Sequence, residues 1–180
     1  MFETIEGINC IQKLNIKIIK YIIMNKLTPD ENFALTGLSL PPTPQPIGVY
    51  ITFLTVGQML YVSGHGPIQN DGTLTKGKVG VDLDIDEAKL AAQQVGLNIL
   101  ATIKANMGTF NKIKRVVKTL GMVNCTPEFE KHPYVINGCS ELFAKVWGTE
   151  NGIGVRSAVG FISLPNNKPV EIEVIFELES

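Results

Sequence analysis

Toward the C-terminus, apolar and charged positions alternate strictly. Val170, Ile172, Val174, Phe176 and Leu178 fall on one side, and Glu171, Glu173, Ile175 and Glu177 on the other. A period of two is that of a half-buried strand. Upstream of a PNNK turn, RSAVGFISLP (Arg156 to Pro165) predicts the strand that precedes it. YITFLTVGQMLYVSGHG (Tyr50 to Gly66) reads as two β-rich runs around Gly57, a hairpin whose second strand ends at Ser63-Gly64. IKRVVKTLGMVN (Ile113 to Asn124) predicts a further strand, closed by NCTPEFEKHP.

Two segments carry the helical period instead. Asp84 followed three residues later by Glu87 forms a capping-box pattern, after which Ala88, Ala91, Ala92, Val95, Ile99, Leu100 and Ile103 recur at helical spacing until Gly108. In YVINGCSELFAKVWG, Val135, Cys139, Leu142, Phe143 and Val146 share one side, with Pro133 near the first turn and Gly148 after the expected end. The order is β-β-α-β-α-β-β, an α+β fold with two helices on one face of a sheet. Val159, Phe161 and Ile175 make the other face apolar as well, and two helices cannot cover both sides. Self-association would cover the second.

The proline-rich LPPTPQPIG (Leu40 to Gly48) favours an extended entry segment, so the folded unit is expected over residues 40–180, preceded by an extension over 1–39. Within that extension, IQKLNIKIIKYIIM is interrupted by Lys13, Lys17 and Lys20 and falls short of the roughly 18 apolar residues of a membrane span. It precedes a second methionine, Met24, and residues 1–23 are expected to be dispensable. QNDGTLTKGKVG (Gln69 to Gly80), polar and punctuated by glycine, is a loop.

Composition narrows the function classes. With 180 residues, 44% of them hydrophobic, the chain supports one well-buried core. Sixteen basic against seventeen acidic residues give a net charge of -1, which argues against nucleic acid or an anionic membrane as partner. The three cysteines (Cys10, Cys125, Cys139) have neither metal-ligand spacing nor the density of a disulfide scaffold, and free thiols in a reducing cytosol are expected. Two histidines, without a CxxC or HExxH pattern, argue against a zinc site.

A few residues carry candidate chemistry. Arg156 shares a strand face with the small Ala158 and Gly160. Its guanidinium fits a ligand carboxylate in two parallel hydrogen bonds, and equally fits a strand-end ion pair with a glutamate of the next strand. Glu171 is either a general acid or base in a partly dry cleft or one member of a solvated strand face. Tyr50 offers a hydroxyl to a ligand or to a buried strand end. Ser63 and Gly64, at a strand end, would let bare backbone approach a ligand. A Ser-His hydrolase is disfavoured, because His65 is too near Ser63 in sequence and only His132 remains.

PIGVY, MLYVSGHGP, VKTLGMVN and above all VRSAVGFISLPNNKPVEIEVIFEL resemble the RidA family, also called YjgF or endoribonuclease L-PSP, over about Pro41 to Leu178. The resemblance implies a chorismate-mutase-like fold and a homotrimer with a central barrel and ligand sites in clefts between subunits. It also implies hydrolysis of 2-imino acids such as 2-iminobutanoate and 2-iminopropanoate to 2-oxo acids and ammonia, without metal or organic cofactor. By the same resemblance Arg156 grips the substrate carboxylate, Glu171 lies near the attacking water, and Tyr50 lines the cleft. Ser63 and Gly64 provide the backbone approach, and Ala158 faces the ligand with its main chain. Three positions depart from the family pattern: His65 replaces a glutamine, Ala158 a frequent cysteine, and Pro127 an asparagine near the site. The alternative expectation is a non-catalytic trimer that binds small carboxylates. A ribonuclease finds no basic stripe and no paired catalytic histidines here.

Overall fold

The computed structural model describes residues 27–180, so the expectation for residues 1–23 lies outside the described residues. Five strands form one sheet: β1 (Phe53–Val56), β2 (Met59–His65), β3 (Ile113–Asn124), β4 (Val155–Phe161) and β5 (Val170–Leu178). Their spatial order is β1-β2-β5-β3-β4. Neighbours are antiparallel except for the parallel pair β3 and β4. A parallel pair needs a crossover, and helix α3 (His132–Gly152) provides it. Helix α2 (Ile85–Met107) packs beside α3 on the same face, and the order expected from the sequence stands.

The strand with the clearest alternation sits at the centre of the sheet. Val170, Ile172, Val174 and Phe176 of β5 are buried under the helices, where Phe176 meets Phe143 and Trp147 at ring-centroid distances of 5.7 and 5.5 Å. At the β1–β2 turn, Gly57 takes a φ of 59°, at the first loop position of a two-residue hairpin, where glycine is favoured. Asp84 caps α2 by accepting from the N–H groups of Asp86 and Glu87 at 2.9 and 2.8 Å, while Glu87 accepts from the Asp84 N–H at 2.9 Å. Gly108 ends the helix in the left-handed conformation.

Two local expectations change. Gly148, with φ 78° and ψ 164°, breaks α3, but helical turns resume and run to Gly152. A short helix, α1 (Pro29–Leu35), lies in the segment expected to precede the folded unit. It docks on the domain through Asp30, which accepts from Lys104 Nζ at 3.0 Å, from the Phe110 N–H at 3.1 Å and from the Thr109 hydroxyl. Phe33 packs edge-on against Phe110 at 5.3 Å.

The far side of the sheet carries the cross-strand row Leu54, Tyr61, Ile175, Lys118, Val155, of which Leu54, Tyr61 and Val155 are exposed. Among the described residues no helix covers this row. Among the described residues no helix is long and apolar enough to cross a membrane.

Candidate active site

Arg156 lies on the helix side of the sheet. It pairs with Thr119, Thr119 pairs with Val174, and both are buried beneath the helices. Its Nη1 donates to Asn137 Oδ1 at 2.9 Å and Ser140 Oγ at 3.1 Å, and its Nη2 donates to the Pro133 carbonyl at 3.3 Å. These partners on α3 are all neutral. Among the described residues the guanidinium forms no ion pair, so the strand-end pair with a glutamate of β5 is not made. Beside it, between β4 and α3, opens a cavity of about 680 Å³ lined in part by Asn137, Ser140 and Thr149. Ala158 follows on the same face, half-buried and opposite Gly121.

Tyr50, Gly64 and Glu171 gather elsewhere, around the bulge that interrupts the β2–β5 register between Val62 and His65. A cavity of about 160 Å³ is lined there by Tyr50, Thr52, Gly64, His65, Leu74 and Lys168, among others. Glu171 lies directly over Gly64. A methyl group built on Gly64 would collide with Oε1 and would stand 3.1 Å from Cγ. The other oxygen, Oε2, is 2.8 Å from Lys168 Nζ, with the two side chains 19% and 13% exposed. Only the absence of a side chain at Gly64 lets the carboxylate lie against bare backbone.

His65 is buried and locked in one tautomer by its neighbours. Its Nδ1–H donates to the Ser63 carbonyl at 2.6 Å, and its Nε2 accepts from the Thr102 hydroxyl at 2.8 Å. Burial holds the imidazole below the usual histidine range, and the Lys168 charge adds to this against the opposing pulls of the Ser63 carbonyl and Glu171. A neutral, doubly bonded ring has no lone pair left for a base. The Ser63 hydroxyl donates to the Ile51 carbonyl at 2.6 Å and does not line the Tyr50 cavity. Ser63 and His65 therefore form no nucleophile–base pair.

One chain thus brings together Tyr50, Gly64 and Glu171, but not Arg156 or Ala158. Glu171 stands three residues from Val174 on β5, and its cross-strand row runs through Met122 to Val159 on the side of the sheet opposite α2 and α3. Opposite parity separates it from Arg156. Lys168, which shares the Tyr50 cavity, went unnoticed in the sequence because it reads there as one polar residue of the PNNK turn.

A thiol–imidazole pair lies further along the helix side of β4, where Cys125 Sγ is 3.4 Å from His132 Nε2 beneath Gly160. Burial raises the Cys125 thiol, against lowering by a hydrogen bond from the Phe161 backbone to it and by the Lys78 charge.

Residues 30–174 match the YjgF/chorismate mutase-like endoribonuclease family. The chain belongs to this family. Protein TCP17 of Trypanosoma cruzi is 34% identical over 149 residues, which cover 83% of this chain and 93% of that protein. A 2-iminobutanoate/2-iminopropanoate deaminase of Dermatophagoides farinae is 31% identical over 147 residues, covering 79% of this chain and 95% of the relative. The crystal structure of Atu1372 from Agrobacterium tumefaciens superposes with a TM-score of 0.76 at 40% identity, covering 84% of this chain and 92% of that one. The chorismate-mutase-like architecture expected from the sequence is the fold of this chain.

Proposed function

We propose that this protein hydrolyses short 2-imino acids to 2-oxo acids and ammonia, in a homotrimer whose sites are assembled between copies. The observation that carries the reading is the convergence of Tyr50, Gly64 and Lys168 on one small cavity, with the Glu171 carboxylate laid against the unshielded backbone of Gly64 and paired to Lys168. The Dermatophagoides farinae relative, named for this reaction, supports it. In the trimer the exposed row Leu54, Tyr61 and Val155 becomes interior, and Arg156 of a neighbouring copy reaches the Tyr50 cavity. That arrangement explains why one chain keeps Arg156 and Glu171 on opposite sides of its sheet.

Arg156 holds the substrate carboxylate in two parallel hydrogen bonds, Tyr50 shapes the cavity and donates its hydroxyl, and the main chain at Gly64 and Ala158 flanks the reacting carbon. A water oxygen forms the new bond to C2 as the C=N π pair moves to nitrogen. Glu171 takes the proton that the water releases. With the imine entering in its protonated form, the carboxyl then returns that proton to the amine nitrogen, the C–N bond breaks toward nitrogen, and the hydroxyl gives its proton to Glu171 as its O–H pair closes the carbonyl of the 2-oxo acid. Every electron pair stays accounted for within a hydrolysis, so the reaction as written uses no metal, redox partner or organic cofactor. Free Cys125 and Cys139 fit a reducing cytosol as its location.

A second reading is favoured by the guanidinium's existing bonds to Asn137, Ser140 and Pro133: a trimer that binds small carboxylates without turnover. An amino-acid dehydratase coupled to semicarbazide trapping separates the two. The wild type should compete with the trap and Arg156→Ala should not. Binding of 2-oxo acids without any change in imine lifetime would instead support the carboxylate binder.

A further inference from the structure

We propose that Lys168 is a second carboxylate anchor of the Tyr50 cavity, supplied by the same chain as Glu171 and separate from Arg156. This rests on the reading of that cavity as the ligand site. A lysine ordinarily extends its ammonium into water, yet this side chain is only 13% exposed and its end lines a cavity.

The chain makes specific provision to hold it there. Pro165–Asn167 form a 3-10 turn in which two successive non-glycine residues, Asn166 and Asn167, take φ values of 58° and 54°. Asparagine tolerates this left-handed region better than most residues, but two in a row persist only when neighbours fix them. The Gly77 N–H donates to the Asn167 carbonyl at 2.7 Å, and Asn124 Nδ2 donates to Asn167 Oδ1 at 3.1 Å. Past this turn the aliphatic stem of Lys168 runs over Gly66, where a methyl group would stand 3.1 Å from Cδ. Geometry that holds a lysine inward past two glycines, one under Glu171 and one under its own stem, points to a ligand that needs a cation at that spot.

The ammonium has three donors, and among the described residues its ion-pair partner is Glu171 Oε2 at 2.8 Å. Its remaining donors are available to a ligand in the cavity. The rest of the lining includes Ile47, Ile68 and Leu74, so an anionic head at Lys168 leaves an apolar tail against aliphatic side chains. A space of about 160 Å³ matches a molecule of roughly benzene size, because an engineered cavity of about 150 Å³ takes benzene. A four-carbon 2-oxo or 2-imino acid is of that size.

The charge arithmetic makes the proposal specific. Lys168 and Glu171 cancel, so an incoming carboxylate meets one attractive and one repulsive charge within a few ångströms. Removing the Glu171 charge should therefore tighten carboxylate binding, while removing the Lys168 charge should weaken it. A merely structural ion pair predicts the same direction for both changes.

Equilibrium binding of 2-oxobutanoate by titration calorimetry tests this without any turnover, so it stands or falls apart from the trapping assay. Lys168→Met should bind at least about tenfold more weakly, Lys168→Arg should stay within about threefold of wild type, and Glu171→Gln should bind about three- to tenfold more tightly. The uncharged analogue 2-oxobutanamide should show none of these differences. Unchanged binding by Lys168→Met, weakening by Glu171→Gln, or no binding by the wild type would each overturn the proposal. Should Lys168→Met not fold, Lys168→Arg and Glu171→Gln decide it. Loss of imine turnover with the binding pattern intact would sink the deaminase reading alone.

Discussion

Replacing Gly64 by alanine probes the site with a single methyl group. The backbone of Gly64 is not in the left-handed region, so alanine meets no conformational penalty there, and the cost is one of space. The new Cβ would collide with Glu171 Oε1 and would lie 3.0 Å from Cδ, so the carboxylate must retreat. A retreat of about 1 Å costs on the order of 100-fold in rate, or about 2.7 kcal/mol of barrier, when the displaced group handles the proton. The stability cost is smaller, about 1 kcal/mol, because the obstructed atoms are the end of a side chain rather than backbone. Competition with semicarbazide for an enzymatically generated 2-imino acid gives the rate, and thermal unfolding gives the stability. Adding Gly64→Ala to Glu171→Gln should cost little more than Glu171→Gln alone, since the two changes act on one group. A Gly64→Ala protein that works within about twofold of wild type would refute the assignment of Glu171, whatever its melting temperature.

Two further predictions concern pH and the docked N-terminal helix. Burial raises the Asp30 carboxyl, but the hydrogen bonds from Thr109, the Phe110 N–H and Lys104 outweigh it and hold the group below the usual range. The stability this contributes is present above the unfolded carboxyl value of about 4 and is lost as pH falls through the lower folded value. Asp30→Asn should cost about 1–3 kcal/mol at pH 7 and flatten the acid limb of a urea-denaturation series; an unchanged limb would count against the docking role. His65, held below the ordinary histidine range by burial, binds its proton more readily in the unfolded chain. Stability is therefore full above about pH 6.5 and falls as pH drops from there toward the folded value. Melting temperatures of wild type and His65→Gln between pH 7.5 and 5 should diverge on the acid side, with the glutamine protein the less sensitive; parallel curves would contradict this.

The elements were legible where a local pattern suffices. β5 declared itself by alternation because its two faces meet different media, and α2 by a cap and a glycine stop that need only neighbouring residues. Arg156, Glu171, Tyr50 and Gly64 were visible as residue types, but their grouping was not. Parity along one strand can be read from sequence, whereas the register that joins β5 to β3 and β3 to β4, and so puts Arg156 on the other face from Glu171, depends on non-local pairing. Helix α1 was missed for a related reason. Seven residues are too few to show a period, and what holds them is Asp30 reaching residues 104–110. The inward aim of Lys168 follows from two left-handed asparagines fixed by contacts with Gly77 and Asn124, which no local signal announces.

The proposed working site joins Arg156 of one copy to Tyr50, Gly64 and Glu171 of another. Subunit complementation tests it most directly. Arg156→Ala and Glu171→Gln proteins, each inactive in the trapping assay, would be co-expressed in equal amounts under two affinity tags, and the mixed assemblies isolated by sequential capture. Every mixed trimer then has one site in three with both wild-type groups, so about a third of wild-type imine hydrolysis should return. Mixed assemblies as inactive as their parents would contradict the shared site.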